Sequence, residues 1–176
     1  TLESIQKAAQ NNSDVTGIST GFIDLDYRTA GLQPSDLILI AARPSMGKTA
    51  FALNIAENVA MINHIPTAIF SLEMSKVQLA KRLVAMNSKV DSQRIRIGEL
   101  EDDEWAKITE SSIILGESTL YIDDTGSISI NDLRSKCRKL KMEKGLGLII
   151  IDYLQLMSGN SGSKNISRQQ EISDIS

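Results

Sequence analysis

The sequence predicts an α/β fold in which a mostly parallel β-sheet carries helices on both faces. Three observations predict it. Short apolar runs alternate along the chain with longer segments of helical periodicity, which is typical of parallel strands joined by crossover helices. Several of these runs end directly at a carboxylate. A loop containing glycine, lysine and threonine lies between the first run and the helix that follows it.

Size and composition predict one globular unit. The chain has 176 residues, of which 41% are hydrophobic and 23% charged, and this length is enough for a substantial core. The single cysteine, Cys137, excludes an internal disulfide framework and a cysteine-based zinc site, and it fits a reducing cytosol. We find no signal peptide and no apolar stretch near the roughly 20 residues that span a bilayer, so we expect a cytoplasmic protein without membrane contact.

The net charge of −3 argues against a basic nucleic-acid footprint over the whole domain. A local patch or a ring of subunits could still supply one, so the charge balance leaves DNA contact open.

The N-terminal part begins with helical spacing. Apolar residues in Thr1–Gln10 predict a short amphipathic helix, and residues 11–15 predict a linker; a frayed tail is the alternative. The apolar run Asp36–Ala42, bounded by Pro34 and Pro44, predicts a strand buried on both faces.

Alternating helices and strands follow. We expect helices over Lys48–Ile62, Ser75–Asn87 and Glu101–Leu115, and strands over Thr67–Leu72 and Leu120–Ile122. Ser129 is the expected N-cap of a further helix that Gly145 ends, and Leu148–Ile151 is the expected strand that runs into Asp152. Residues 158–165 predict a loop and residues 168–176 the start of another helix.

The clearest chemical signal is the segment Ala42–Thr49. It matches the pattern G-x-x-x-x-G-K-[ST] except at its first position, where alanine replaces glycine. In such a loop the backbone N–H groups and the following helix N-terminus surround a β-phosphate, Lys48 reaches the β and γ oxygens, and the Thr49 hydroxyl binds Mg²⁺. A chance Gly-Lys-Thr at a helix start is the alternative.

Two carboxylates are candidates to complete this site. Asp152 follows an apolar strand, where open α/β sheets present ligands, and could orient the water ligands of Mg²⁺. Glu73 follows another buried strand and could deprotonate an attacking water. From chemistry alone, Glu73 could equally be an acidic residue that favours the next helix N-terminus. Gln155 is a possible γ-phosphate contact or an ordinary hydrogen-bonded amide.

A lysine- and arginine-rich helix and the single tryptophan are expected to have structural roles. The helix after Ser129 is rich in lysine and arginine, but its charges lie around most of the helix, which favours a solvated face over a nucleic-acid surface. Trp105, on a helix with Ile108, is expected in the core.

Several segments together resemble the C-terminal RecA-like motor domain of the DnaB-type bacterial replicative helicases. They are residues 17–26 (GISTGFIDLD), 35–38 (SDLI), 41–52 (AARPSMGKTAFA), 70–75 (FSLEMS) and 150–156 (IIDYLQL). The resemblance covers the chain from Thr16 onward, and the alanine at position 42 is the family's own departure from the glycine pattern. It divides the chain into a linker helix and linker over residues 1–15 and a RecA-like P-loop ATPase motor domain over residues 16–176.

The resemblance implies a homohexameric ring that hydrolyses ATP with Mg²⁺ at subunit interfaces, translocates on single-stranded DNA and unwinds the duplex at the replication fork. It implies that Glu73 is the catalytic base, with Lys48 as the second catalytic residue and Thr49 and Asp152 as metal ligands. The implied nucleotide-binding residues are Ser45, Gly47, Lys48, Thr49, Ala50 and Arg82. Residues 1–10 would dock on a neighbouring subunit, and primase and a helicase loader are the implied partners of the full-length protein.

The resemblance also implies that the motor domain is C-terminally incomplete here. Several elements of the family's motor domain would follow later in the sequence. They are the strand that lies in the sheet between the strand before the Gly-Lys-Thr loop and the strand that ends at Asp152, the arginine finger, the γ-phosphate sensor and the DNA-binding loops. We therefore expect the isolated 176 residues to be nearly inactive, because an arginine supplied from a neighbouring subunit contributes about 10³–10⁵ in rate in P-loop enzymes.

Two other functions use the same residues. A RecA-like recombination or repair ATPase that forms filaments would also contain Lys48, Glu73 and Asp152, and only the flanking segments argue against it. A binding module that uses ATP as a switch is the other; the intact Lys48, Thr49, Glu73 and Asp152 argue against it.

Overall fold

The computed structural model describes residues 15–43 and 45–153, and within them it is an α/β fold. The helices are α1 (Ile23–Thr29), α2 (Lys48–Glu57), α3 (Lys76–Ser88), α4 (Ser92–Ile97), α5 (Asp102–Glu117) and α6 (Ile130–Lys144). The strands are β1 (Thr67–Ser71), β2 (Leu120–Asp123) and β3 (Leu148–Asp152). The predicted helix at residues 1–10 and the segments after Tyr153, with Gln155, lie outside the described residues.

The three strands form a parallel sheet in the order β2-β1-β3, which confirms the predicted fold class. Thr67 is aligned with Leu120 on one side and with Leu148 on the other, and Ser71 is aligned with Asp152. All five residues of the central strand β1 are buried. The carboxyl ends of β1 and β3 therefore meet at one edge of the sheet.

Alternate side chains of β1 face two separate cores. Ala68 and Phe70 pack with Cys137 of α6, whereas Ile69 packs with Leu53 of α2 and Leu83 of α3. This alternation follows from the two-residue period of a strand, and it requires apolar helix faces on both sides of the sheet. The apolar periodicity that predicted α2, α3 and α6 is what fills the two cores.

Helix ends follow the expected capping chemistry. Ser129 is confirmed as the N-cap of α6, because its hydroxyl accepts a hydrogen bond from the Asp132 backbone N–H at 3.1 Å. Gly145 ends the same helix in the left-handed region, with φ of 75°. Ser75 and Gln78 form a capping box at the start of α3.

The predicted helix Lys48–Ile62 changes its hydrogen-bond pattern after Glu57. A π-helical turn over Asn58–Ile62 continues α2, and the Asn63 N–H donates to the Asn58 carbonyl at 3.0 Å. The side-chain amides of Asn58 and Asn63 both donate to the Ser19 carbonyl, at 3.4 and 3.2 Å. The turn therefore fixes the segment before α1 against the end of α2.

The predicted strand Asp36–Ala42 is wrong for the described residues. This segment joins no ladder, and its apolar side chains are exposed: Leu37 by 60%, Ile38 by 52%, Leu39 by 68% and Ile40 by 40%. A strand needs a neighbour for its backbone N–H and C=O groups. Among the described residues no strand pairs with the free edge of β3, so the apolar run has no sheet in which to bury itself.

The expected burial of Trp105 is also wrong, since 53% of its surface is exposed. Helix α5 packs on α3 through its other side, where the Ser111 hydroxyl donates to the Val84 carbonyl at 3.3 Å. Ser111 lies six positions after Trp105, so the two side chains leave the helix in directions about 120° apart at 3.6 residues per turn. Sequence spacing alone did not show which apolar side of α5 meets α3.

The buried carboxylate of Asp26 holds the segment before α1 by hydrogen bonds. Asp26 of α1 accepts hydrogen bonds from the Ser19 hydroxyl at 2.6 Å, the Thr20 N–H at 2.8 Å and the Thr20 hydroxyl at 2.8 Å. Burial by itself would raise the pKa of Asp26, but these hydrogen bonds outweigh it and hold the pKa below the ordinary value.

No helix in the described part of the chain is long and apolar enough to cross a membrane.

Candidate functional site

The loop before α2 reaches the helix through two residues with positive φ, Ser45 and Gly47. Gly47 is the N-cap residue of α2 with φ of 87°, a conformation that glycine adopts without strain. A Cβ at this position would meet no atom within 4 Å, so the backbone angle, and not lack of space, requires glycine. Ser45 also has positive φ, 65°, and Met46 is 72% exposed. The first-turn N–H groups of α2 have no intrahelical acceptors, and a helix N-terminus of this kind favours an anion.

Three side chains predicted for the site converge at the sheet edge. The Thr49 hydroxyl donates a hydrogen bond of 2.7 Å to Asp152 Oδ2, and Lys48 Nζ lies 3.6 Å from Asp152 Oδ1. These residues are about a hundred positions apart in sequence and meet because α2 begins where β3 ends. The Asp152 side chain is 7% exposed and that of Lys48 is 32% exposed, so the charges interact in a partly desolvated setting.

Tyr153 is a neighbour that the sequence did not single out. Lys48 Nζ lies 4.4 Å from the centroid of its ring, within the range of a cation–π interaction. The Lys48 ammonium therefore has contacts with Asp152 and with Tyr153. The sequence signal that could have indicated this contact is an aromatic residue directly after the carboxylate that ends a strand.

Glu73 lies in the loop between β1 and α3, two residues past the Ser71–Asp152 pair. The Leu72 N–H donates to the Asp152 carbonyl at 2.8 Å, so the loop is bonded to the strand that carries Asp152. The Glu73 side chain is exposed, and within the described residues it makes no hydrogen bond or ion pair. The structure thus places Glu73 at the same edge as Lys48, Thr49 and Asp152.

Two other residues predicted for the site, Ala50 and Arg82, make no side-chain hydrogen bond or ion pair with Lys48, Thr49 or Asp152 among the described residues. Ala50 lies in the first turn of α2 and is exposed. Arg82 is exposed on α3 and forms no ion pair among the described residues, so this structure does not connect its side chain to the loop.

The donor set fits a magnesium ion. Thr49 and Asp152 present a hydroxyl and a carboxylate oxygen in contact, and oxygen is the ligand type that Mg²⁺ prefers. In the described part of the chain no three His, Cys, Asp or Glu residues form a metal-binding group. Mg²⁺ usually takes one or two protein ligands and completes its shell with water and phosphate oxygens.

Two neighbouring carboxylates at the end of β2 were not predicted as functional. Asp123 accepts from Lys136 of α6 and from the Thr125 N–H at 2.9 Å, while Asp124 accepts from the Lys76 N–H of α3 at 2.9 Å. Burial by itself would raise the pKa of Asp123. Hydrogen bonds from Lys136 and Thr125, together with the Lys136 charge, outweigh this effect and hold the pKa below its ordinary value. The two carboxylates connect the sheet to helices on opposite faces.

Three lysines of helix α6 have partners within the chain. Lys136 pairs with Asp123, Lys139 pairs with Glu143 at 4.0 Å, and Lys141 donates to the Leu146 carbonyl at 2.8 Å. A cavity of about 330 Å³ between α6 and strands β1 and β2 is lined by none of the predicted site residues.

Comparison with known proteins identifies the family. The model of the DnaB-like helicase C-terminal domain matches residues 17–176. The chain is 51% identical over its whole length to the replicative DNA helicase DnaB of Geobacillus stearothermophilus and 50% identical to the replicative DNA helicase DnaC of Bacillus subtilis, and it spans 38% of each.

Two solved structures have the same fold. One is described as an ATPase domain, with a TM-score of 0.91, 34% identity, and coverage of 99% of this chain and 62% of that one. The other, a DnaB-like replicative helicase described with its interactions with primase, has a TM-score of 0.89, 34% identity, and coverage of 99% and 42%. The chain therefore belongs to the DnaB-like helicase C-terminal domain family.

Proposed function

We propose that the chain is the ATP-hydrolysing motor of a replicative DNA helicase, with residues 16–176 in the motor domain and residues 1–15 as a linker. The observation that carries the proposal is the meeting of Lys48, Thr49 and Asp152 at the sheet edge, in a chain whose relatives are named replicative DNA helicases. Those names favour a helicase over a filament-forming recombination ATPase.

The loop and the start of α2 would bind the phosphates of ATP. Backbone N–H groups from Ser45 to Ala50 and the helix N-terminus supply positive partial charge, and Lys48 adds a full one. Lys48 would move from Asp152 to the β and γ oxygens, a short movement for a flexible side chain. Arg82 is proposed to lie near the nucleotide base, as the family resemblance implies.

Thr49 and Asp152 would hold Mg²⁺, which when bound neutralises charge that develops on the phosphates. Thr49 would supply an oxygen ligand, and Asp152 would orient water ligands of the ion. The existing hydrogen bond between them keeps both oxygens at one place.

Glu73 would orient the attacking water and take its proton as the oxygen attacks the γ-phosphorus. Its carboxylate is exposed and makes no ion pair within the described residues, so it is available to a water molecule. Lys48 would stabilise the charge of the transferred phosphoryl group, because its ammonium is already held at this edge.

The full-length protein is proposed to be a cytoplasmic homohexameric ring that moves on single-stranded DNA and unwinds the replication fork. Primase and a helicase loader are the proposed partners. A contact with primase is described for the related replicative helicase structure, and this supports the first of them.

The test is Glu73→Gln in the full-length gene product. Glutamine cannot take the proton, so we expect ATP affinity within about twofold of wild type and a loss of turnover of at least about 10²-fold, the range of general-base contributions. Unwinding should be lost with it. Binding is measured with a fluorescent ATP analogue and turnover by phosphate release.

Glu110→Gln is the matched control, because Glu110 is exposed on α5 and forms no ion pair among the described residues. It should leave both quantities unchanged. Normal turnover in Glu73→Gln would overturn the assignment of the base.

A further inference from the structure

The loop that carries Glu73 is held by its backbone and not by the Glu73 side chain. On one side of Glu73, the Leu72 N–H donates to the Asp152 carbonyl at 2.8 Å. On the other side, the Met74 N–H donates to the Ser71 hydroxyl at 3.1 Å. Because the Glu73 side chain has no hydrogen bond of its own within the described residues, its position depends on where the loop begins and ends.

The far end of this loop is fixed by a residue that directly follows another strand, β2. Asp124, which directly follows β2, accepts a hydrogen bond of 2.9 Å from the backbone N–H of Lys76, the first residue of α3. The two residues are 48 positions apart. This bond ties the start of α3 to the end of β2, whereas the Leu72 bond ties the start of the loop to the end of β3.

Helix α3 does not need Asp124 in order to begin at Ser75. The Ser75 hydroxyl accepts from the Gln78 N–H at 3.3 Å, and the Gln78 side chain accepts from the Ser75 N–H at 3.0 Å, which completes a capping box. Asp124 adds a third bond at the next N–H along. Its specific effect is to fix the location of the helix start relative to the sheet.

We propose that Asp124 is a positioning residue for Glu73: it fixes the α3 end of the loop so that the Glu73 carboxylate stays at the sheet edge with Lys48, Thr49 and Asp152. This inference rests on the proposed function of Glu73. The neighbouring Asp123 pairs with Lys136 on the opposite face of the sheet, so it does not fix the position of the Glu73 loop.

The test compares Asp124→Ala and Asp124→Asn in the full-length gene product. Alanine removes the acceptor, and the loop can then shift. Because a misplacement of about 1 Å can cost about 10²-fold in rate, we expect kcat to fall between about 10- and 100-fold. ATP affinity should stay within about twofold, because the loop Ser45–Thr49 is untouched. Asparagine keeps an acceptor oxygen at the same place and should restore kcat to within about threefold of wild type.

Asp91→Ala is the matched control for loss of a helix-capping carboxylate. Asp91 accepts from the Gln93 and Arg94 N–H groups at 2.7 and 3.1 Å at the start of α4, away from the β1–α3 loop. It should lower the melting temperature without lowering kcat. If Asp124→Ala does not fold, Asp124→Glu replaces it: the acceptor moves by one methylene group, and kcat should fall while ATP affinity is kept.

Three results would overturn the inference: kcat within twofold of wild type in Asp124→Ala, a fall in kcat no larger than that of Asp91→Ala, or no recovery in Asp124→Asn. These results differ from failure of the proposed function itself. Full turnover in Glu73→Gln would remove Glu73 as the base, whereas loss of turnover in Glu73→Gln together with normal kcat in Asp124→Ala would contradict only the positioning role.

Discussion

Replacing the buried carboxylate of Asp26 should destabilise the fold more than any exposed change in the same helix. Asp26 is 5% exposed, and Thr20, whose N–H and hydroxyl both donate to it, is fully buried. In Asp26→Ala these two buried donors lose their acceptor. Each unsatisfied buried donor costs about 1–3 kcal/mol, and the hydroxyl can rotate to recover part of this, so we expect a loss of about 2–5 kcal/mol in the free energy of unfolding.

The assay is urea denaturation followed by circular dichroism, with Asp24→Ala as the matched control. Asp24 lies in the same first turn of α1 but is exposed, so its replacement should change the free energy of unfolding by no more than about 0.5 kcal/mol. Equal effects of the two substitutions would refute the reasoning, because the burial and the hydrogen bonds of Asp26 would then contribute nothing measurable.

The pH dependence gives a second test of the same carboxylate. The folded-state pKa of Asp26 lies below its ordinary value of 3.8, since the hydrogen bonds from Ser19, Thr20 and Gly21 outweigh the effect of burial. A depressed pKa stabilises the fold above the unfolded-state value, and this stability is lost as the pH falls through the folded-state value. Wild type should therefore lose its advantage over Asp26→Ala below pH 3.8, and a constant difference down to about pH 2 would contradict the assignment.

Three further predictions concern single residues. Tyr153→Leu removes the ring over Lys48 and should weaken ATP binding about two- to tenfold, whereas Tyr153→Phe should stay within about twofold; tighter binding in Tyr153→Leu would contradict the role of the ring. Gly47→Ala forces a side chain into the left-handed region at a cost of about 1–2 kcal/mol and should weaken ATP binding with little change in helix content, as titration and circular dichroism would show. Trp105, the only tryptophan among the 176 residues, is 53% exposed and should show red-shifted emission that acrylamide quenches readily in this chain; blue-shifted, protected emission would mean that α5 packs through the side that carries Trp105.

The parts of the structure that sequence predicted best are those fixed by local chemistry. The apolar periodicity of α2, α3, α5 and α6 and the Ser129 and Gly145 ends came from spacing and capping, which depend on neighbouring residues. The meeting of Thr49 with Asp152 was predictable because a Gly-Lys-Thr loop and a strand-end carboxylate share one edge in such sheets.

The features that sequence missed depend on distant partners. Helices α1 and α4 are short, with seven and six residues, and show no apolar repeat; Asp26 and Asp91 hold them through hydrogen bonds. The apolar run at residues 36–42 is typical of a buried strand, but its burial requires a neighbouring strand that the described residues do not provide. The bond of Asp124 to Lys76 joins residues 48 positions apart, and no local pattern reveals it.

The most direct measurement is a structure of the full-length gene product with Mg²⁺ and a non-hydrolysable ATP analogue. We predict Lys48 Nζ and the N–H groups of the Ser45–Ala50 loop within about 3 Å of phosphate oxygens, and Thr49 Oγ1 within about 2.2 Å of the Mg²⁺ ion. Asp152 should lie next to the water ligands of the ion, and the Glu73 carboxylate should face the γ-phosphate. Phosphates bound away from this loop, or Glu73 turned away from the γ-phosphate in every subunit, would contradict the account.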